Sequence, residues 1–210
     1  MISGKKCTVT LAVSLTLALL FTFCFTYLPA FTGMEAAAAH PAYETKLFGS
    51  DLVSIDIRAD ADEWQEMLDN ATAEAYISCD VVVNGTLFTS VGVQPKGNTS
   101  LTSVAGSDSD RYSFKLEFDH YVDGQTCFGL DKFVVNNIQS DATYMKEYLS
   151  YQMMDFLDVP SSLCSFADLS VNGETWGLYL AIEALEESYA ARNFGTDYGQ
   201  LYKPDSQNNR

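Results

Sequence analysis

Val91-Gly-Val-Gln-Pro-Lys-Gly-Asn-Thr-Ser100 and Arg111-Tyr-Ser-Phe-Lys-Leu-Glu-Phe-Asp119 together spell a strand, a small-residue turn and a second strand. Apolar and polar residues alternate in both runs, the period of a half-buried strand. The second run carries a single lysine, Lys115, between Phe114 and Leu116. If those neighbours face the core, Lys115 faces the opposite side. Gly97 removes the Cβ obstruction, and Asn98, Thr99 and Ser100 bring backbone N–H groups and hydroxyls. Strand, small-residue loop and strand-borne lysine are the parts that hold a nucleotide's phosphates. Lys96, at the first strand's end, is a second phosphate candidate. The same parts also make an ordinary turn with solvent-facing lysines.

Outward from this stretch, Leu52–Ile57 alternates as a strand does, and residues 59–70 read as a helix with Trp64, Met67 and Leu68 on one face. Two strand pairs surround Asn-Gly steps, residues 77–83/86–94 about Asn84-Gly85 and residues 167–171/175–182 about Asn172-Gly173. Asn-Gly supplies the positive φ of a type I′ turn, so both are hairpins. Residues 101–110 read as a Ser/Asp/Gly-rich loop, and 112–118 and 133–137 as strands. A helix is expected from Asp141, its cap, to just before Pro160. Met145, Leu149, Met153 and Phe156 share one of its faces; Tyr144, Tyr151 and Met154 share another. A helix apolar on two faces is expected to be sandwiched. A helix over 186–193 and a turn-and-strand over 195–202 close the pattern.

Twelve Lys+Arg against 28 Asp+Glu leave a formal net charge of −16, which repels a phosphate backbone, so no nucleic-acid partner is expected. ATP has to overcome the same repulsion through local lysines and a divalent cation. The N-terminus places Lys5 and Lys6 ahead of an apolar run from Val9 to Leu28, with Ala36–Ala39 as a small-residue cleavage site. That layout predicts export, by a cleaved signal peptide or by a retained membrane anchor over residues 1–39. Cys79, Cys127 and Cys164 are odd in number and lack metal-ligand spacing, so buried thiols or partners of thiols beyond Arg210 are expected, one disulfide remaining open.

The order of these motifs resembles the CotH (spore coat protein H) kinase family of atypical, secreted or spore-associated protein kinases. The matching residues are Lys96–Ser100, Tyr112–Asp119, Gly129–Phe133, Asp141–Met145, Val171–Leu180 with Glu183, and Tyr198–Lys203. The resemblance covers residues 47–210. One departure is Gln94-Pro95-Lys96, where the family more often has basic residues, so no basic role is carried to position 94. The element pattern read along the chain gives an α+β fold, an antiparallel sheet with one main packed helix, which resembles an atypical protein-kinase N-lobe and is preceded by the apolar N-terminal segment. The resemblance implies ATP with Mg2+, and Lys115, Lys96, Gly97, Asn98 and Ser100 around the phosphates. Glu147 on the main helix is placed to pair with Lys115, or with lysines of its own helix. Glu183 sits where a kinase chain crosses between lobes, its backbone near adenine; otherwise it belongs to an acidic helix start. The metal-binding and catalytic acids are expected beyond Arg210, so the chain reads as an N-terminal fragment without activity of its own. The implied function is transfer of the ATP γ-phosphoryl to Ser/Thr of surface or spore-coat proteins, with membrane contact through the leader if uncleaved. The alternative is a non-catalytic secreted, spore or cell-surface structural or binding domain.

Overall fold

Seven strands close into a barrel in the order β1-β2-β3-β4-β5-β7-β6. The computed structural model describes Val9 and residues 12–23, 40–49 and 52–202. The chain divides into two compact units, Met1–Ala39 and His40–Arg210. In the first, residues 12–23 are helical. Among the described residues no helix is long and apolar enough to cross a membrane. The full Val9–Leu28 run, Ala36–Ala39 and the Lys203–Arg210 tail extend outside the described residues.

In the second unit the strands are β1 (Leu52–Arg58), β2 (Ile77–Val83), β3 (Thr86–Lys96), β4 (Ser113–Glu117), β5 (Lys132–Asn136), β6 (Cys164–Val171) and β7 (Glu174–Glu183). The helices are α1 (Ala42–Lys46), α2 (Ala61–Asp69), α3 (Thr99–Ala105), α4 (Lys146–Phe156) and α5 (Glu187–Phe194). Both Asn-Gly hairpins form, with Asn84 and Asn172 at φ 48° and 52° and each followed by a positive-φ glycine. The two asparagines also stitch β1 into place. Asn84 Oδ1 accepts from Ser54 N at 3.0 Å, and Asn172 Oδ1 accepts from Ala59 N at 2.9 Å.

The expected antiparallel sheet under one packed helix is overturned. β1 pairs in parallel with β6, from Leu52 opposite Phe166 to Ile57 opposite Val171, and this pairing closes the sheet on itself. Closure removes both sheet edges and turns the alternating apolar residues into a single enclosed core. Val53, Ile55, Val81, Val93, Phe114, Leu116 and Leu169 are all essentially inaccessible within it. α2 fills one end: Asp60 caps it, accepting from Asp62 N and Glu63 N, and Trp64 packs on Phe114 and Trp176. Tyr43 and Leu47 belong to the same core.

The main helix, α4, is not sandwiched. It contains no buried residue, and Leu149, Met153 and Phe156 are 51%, 62% and 85% exposed. Its apolar contact with the barrel is the side of Tyr148 and Tyr151, packed with Phe166, Leu180 and Ile182 outside the main core. α4 also starts later than expected. Asp141 still tethers its first turn, accepting from Lys146 N at 2.8 Å and from Thr143 N at 3.0 Å. The expected loop over 101–110 begins with α3, whose Leu101 and Val104 enter the core. Gly195–Tyr202 forms no strand.

Candidate phosphate-binding site

Val91 and Val93 point into the barrel, so Gly92, Gln94 and Lys96 lie on its outer face. On β4 the same alternation puts Ser113, Lys115 and Glu117 outside. Register then builds rows across β3 and β4: Gly92 opposite Glu117, Gln94 opposite Lys115, Lys96 opposite Ser113. On β5 the outward residues are Lys132, Val134 and Asn136, with Glu117 opposite Lys132 and Lys115 opposite Val134. Ser113 is small, so Lys96 reaches past it to Asn136.

Lys96 Nζ donates to Asn136 Oδ1 at 3.2 Å. The amide nitrogen of Asn136 donates to both oxygens of Glu147 on α4, at 3.0 and 3.1 Å. The orientation of this amide is fixed by chemistry, because an ammonium can only donate and a carboxylate can only accept. Lys96 is half-buried, and burial pulls its pKa below the usual lysine range, against the attraction of Glu147 and with the repulsion of Lys115. Among the described residues it makes no ion pair within 4.0 Å.

A cavity of about 410 Å³ opens beside this row, lined by Lys96, Ser100, Ser113, Asn136, Gln139, Asp141, Lys146 and Glu147, among others. Its floor is the segment after β5. Asn137 N donates to Ser113 Oγ at 3.0 Å, and Asn137 Nδ2 to Arg111 O at 2.7 Å. Gln139 Nε2 donates to Ser103 Oγ of α3 at 2.7 Å. Ile138 and Ser140 both hold positive φ, 55° and 61°. A β-branched residue there is strained, and such conformations persist where surrounding bonds over-determine them. Gly97, next to Lys96, holds φ 125°, and a Cβ there would sit 2.5 Å from Ser100 Oγ, which lines the cavity. Asn98 makes no side-chain cap to α3; its carbonyl accepts from Thr102 N at 3.2 Å.

A match to a family model decides the affiliation. The model described as CotH kinase protein matches residues 93–210, more than half of the sequence. The chain belongs to the CotH kinase family. Comparison with curated proteins gave no match. The CotH match begins within β3 and so contains the Lys96–Asn136–Glu147 row, Lys115 and Glu183, while β1, α2 and β2 precede it.

Within this CotH chain the expected site residues separate into three places. Lys96, Ser100 and Glu147 come together about the cavity, whereas Gly97 and Asn98 lie in the turn between Lys96 and α3 and do not line it. Lys115 leaves the core, as its place between Phe114 and Leu116 dictates, but its ion-pair partner is Glu117 at 4.0 Å and its ammonium lies over Tyr76. Glu147 does not pair with it. Glu117 also accepts from Tyr76 Oη and from Lys132 Nζ at 3.2 Å, and Lys132 reaches Glu186 at 2.9 Å. Burial pushes Glu117 up, but the Tyr76 and Lys132 bonds outweigh it and hold the carboxyl below its ordinary range.

Glu183 sits in a third place, enclosed at the end of β7. Its carboxylate accepts from Tyr43 Oη at 2.7 Å, Arg192 Nε at 3.0 Å and Leu163 N at 3.1 Å. Its backbone N–H donates to Leu163 O at 2.9 Å and so is not free for a purine. Asn136 and Lys146 are site residues that sequence reasoning passed over. The available signal for Asn136 was its place two residues beyond Val134 on the outward face of a strand.

Cys79, Cys127 and Cys164 are free and buried, and burial raises the Cys164 thiol to about 11. Buried thiols raised in this way are inert packing groups.

Proposed function

We propose that this CotH chain carries the phosphate-holding site of an exported ATP-dependent protein kinase acting on Ser/Thr of surface or spore-coat proteins. The observation that carries the reading is Lys96: a half-buried ammonium whose hydrogen-bond partner is a neutral amide, at the wall of a cavity. A desolvated cation balanced by an amide gains more from an arriving phosphate than one already neutralised by a carboxylate. Lys146, at the rim and with its ammonium 3.9 Å from Asp141 Oδ1, adds a second, partly balanced cation, with Ser100 and the Gly97 turn beside them. Lys115 lies close enough to contribute to the local potential but is committed to Glu117.

The residues around the cavity fit phosphates and do not by themselves make a magnesium site. Both Asp141 oxygens are engaged in the turn before α4, and both Glu147 oxygens accept from Asn136. Among the described residues there is no group of three His, Cys, Asp or Glu placed to hold a metal. No step is therefore assigned to the ion. Export rests on Lys5 and Lys6 ahead of the apolar run, and N-terminal sequencing of material from the medium and from membranes tests it. A soluble cytoplasmic chain with Met1 intact refutes it.

The test of the site is calorimetric titration of the chain with ATP and magnesium. Lys96→Met should weaken binding by about 1.5–3 kcal/mol, the range for a hydrogen bond to a charged group, or roughly ten- to hundred-fold. Equal affinity in the two proteins overturns the assignment. The exposed apolar face of α4 favours the second reading, a non-catalytic surface-binding domain. Absence of any nucleotide binding would leave that reading standing.

A further inference from the structure

Asn136 stands between two charges that would otherwise meet. In a direct lysine–glutamate pair the carboxylate neutralises the ammonium and fixes it toward the helix. Here one amide separates them, accepting from Lys96 Nζ at 3.2 Å and donating to both oxygens of Glu147. We propose that Asn136 is a positioning residue: its amide docks Glu147 and helix α4 on the barrel while keeping Lys96 unneutralised and aimed at the cavity.

Three features of the site argue for this. The row is geometrically forced, because Ser113, opposite Lys96 in the register, is too short to intervene. The amide donates to both oxygens of Glu147, so the carboxylate is already engaged without reaching Lys96. α4 has no buried residue, so its polar tether at Glu147 is a large part of what seats its N-terminal half beside Tyr148 and Tyr151. A primary amide can accept from an ammonium and donate to a carboxylate at once. Aspartate in place of Asn136 would set a second negative group against Glu147 and a direct counter-ion on Lys96. The charged groups acting on Lys96 are Glu147 from α4, Lys115 from β4 and Glu74 from the turn before β2.

This inference rests on the reading of the cavity as a phosphate site, and the two fail in distinguishable ways. The experiment compares the full chain with Asn136→Asp and with Asn136→Asp/Glu147→Gln. The double variant restores hydrogen-bond complementarity to α4, since the introduced glutamine amide can donate to the introduced aspartate. It still leaves Lys96 paired to a carboxylate. The readouts are thermal stability, affinity for inorganic triphosphate, and the titration of Lys96 followed by NMR in lysine-labelled protein.

Asn136→Asp is expected to lower stability, to raise the Lys96 pKa, and to weaken triphosphate binding by about tenfold or more. The double variant is expected to regain stability while its affinity stays low and Lys96 stays shifted. Recovery of affinity together with stability would reduce Asn136 to a helix tether and overturn the proposal. So would a Lys96 titration unchanged in Asn136→Asp. If the unaltered chain binds no triphosphate, the cavity reading fails, and the Lys96 titration still decides whether Asn136 keeps that ammonium unneutralised.

Discussion

Arg192→Ala should cost this protein a large part of its stability, although Arg192 lies far along the chain from most of the core strands. Glu183 is fully enclosed, and its carboxylate is satisfied by Tyr43 Oη at 2.7 Å, Leu163 N at 3.1 Å and Arg192 Nε at 3.0 Å, with a second contact from Arg192 Nη2. Arg192 also donates to Ser161 O at 2.7 Å, tying α5 to the segment before β6. Removing the guanidinium leaves two hydrogen bonds to the carboxylate but no counter-charge in a low-dielectric setting. Breaking a buried pair in this way costs about 3–5 kcal/mol, against a typical total of about 5–15 kcal/mol. Arg192→Met/Glu183→Gln removes both charges and should recover most of the loss, because an uncompensated charge, not the absent attraction, dominates the penalty. Urea unfolding at low and high salt measures both variants, and salt should matter little for an enclosed pair. A loss below about 1 kcal/mol for Arg192→Ala, the level of an exposed pair, would refute the reasoning.

Glu117→Gln should destabilise by about 1–3 kcal/mol at neutral pH. The folded carboxyl is held below its ordinary range, so its contribution is present above that range and is lost as pH falls through the folded pKa. The gap between variant and parent in acid-unfolding curves should therefore close at low pH; a gap constant with pH contradicts the Tyr76–Glu117–Lys132 account. Gly97→Ala forces an L side chain into φ 125° with its Cβ on Ser100, and unfolding should show a loss of about 1–3 kcal/mol. Leu149→Lys and Phe156→Lys alter exposed positions on α4, so stability should stay within about 0.5 kcal/mol while solubility rises. A large stability loss there would mean that this face is covered.

What was legible in the sequence was local. Asn84-Gly85 and Asn172-Gly173 state a backbone conformation that few other pairs adopt, so both hairpins follow from a few adjacent residues. Trp64, Met67 and Leu68 announce the buried face of α2 for the same reason. Barrel closure was not legible, because Leu52–Ile57 finds its parallel partner more than a hundred residues away. Alternation says which side of a strand is buried and is silent about which strand lies beside it. α3 was hidden by composition: Thr99, Ser100, Thr102 and Ser103 favour caps and turns, yet Leu101 and Val104 are drawn into the core. On α4 the face of Leu149, Met153 and Phe156 is exposed, while of the second expected face Tyr151 does pack on the barrel, joined by Tyr148. The same nonlocality explains the site. Lys115 stood out because its strand is regular, whereas the role of Lys96 depends on Asn136 and Glu147, which only the β3–β4–β5 register and the docking of α4 bring to it.

The central claim is that the Lys96–Asn136–Glu147 row is where nucleotide phosphates sit. A crystal structure of the chain with a non-hydrolysable ATP analogue tests it most directly. The account predicts a β- or γ-phosphate oxygen within hydrogen-bond distance of Lys96 Nζ, about 2.7–3.2 Å, with Asn136 still bridging to Glu147. Phosphates held at Lys115 or elsewhere, with the Lys96 cavity empty, would contradict it.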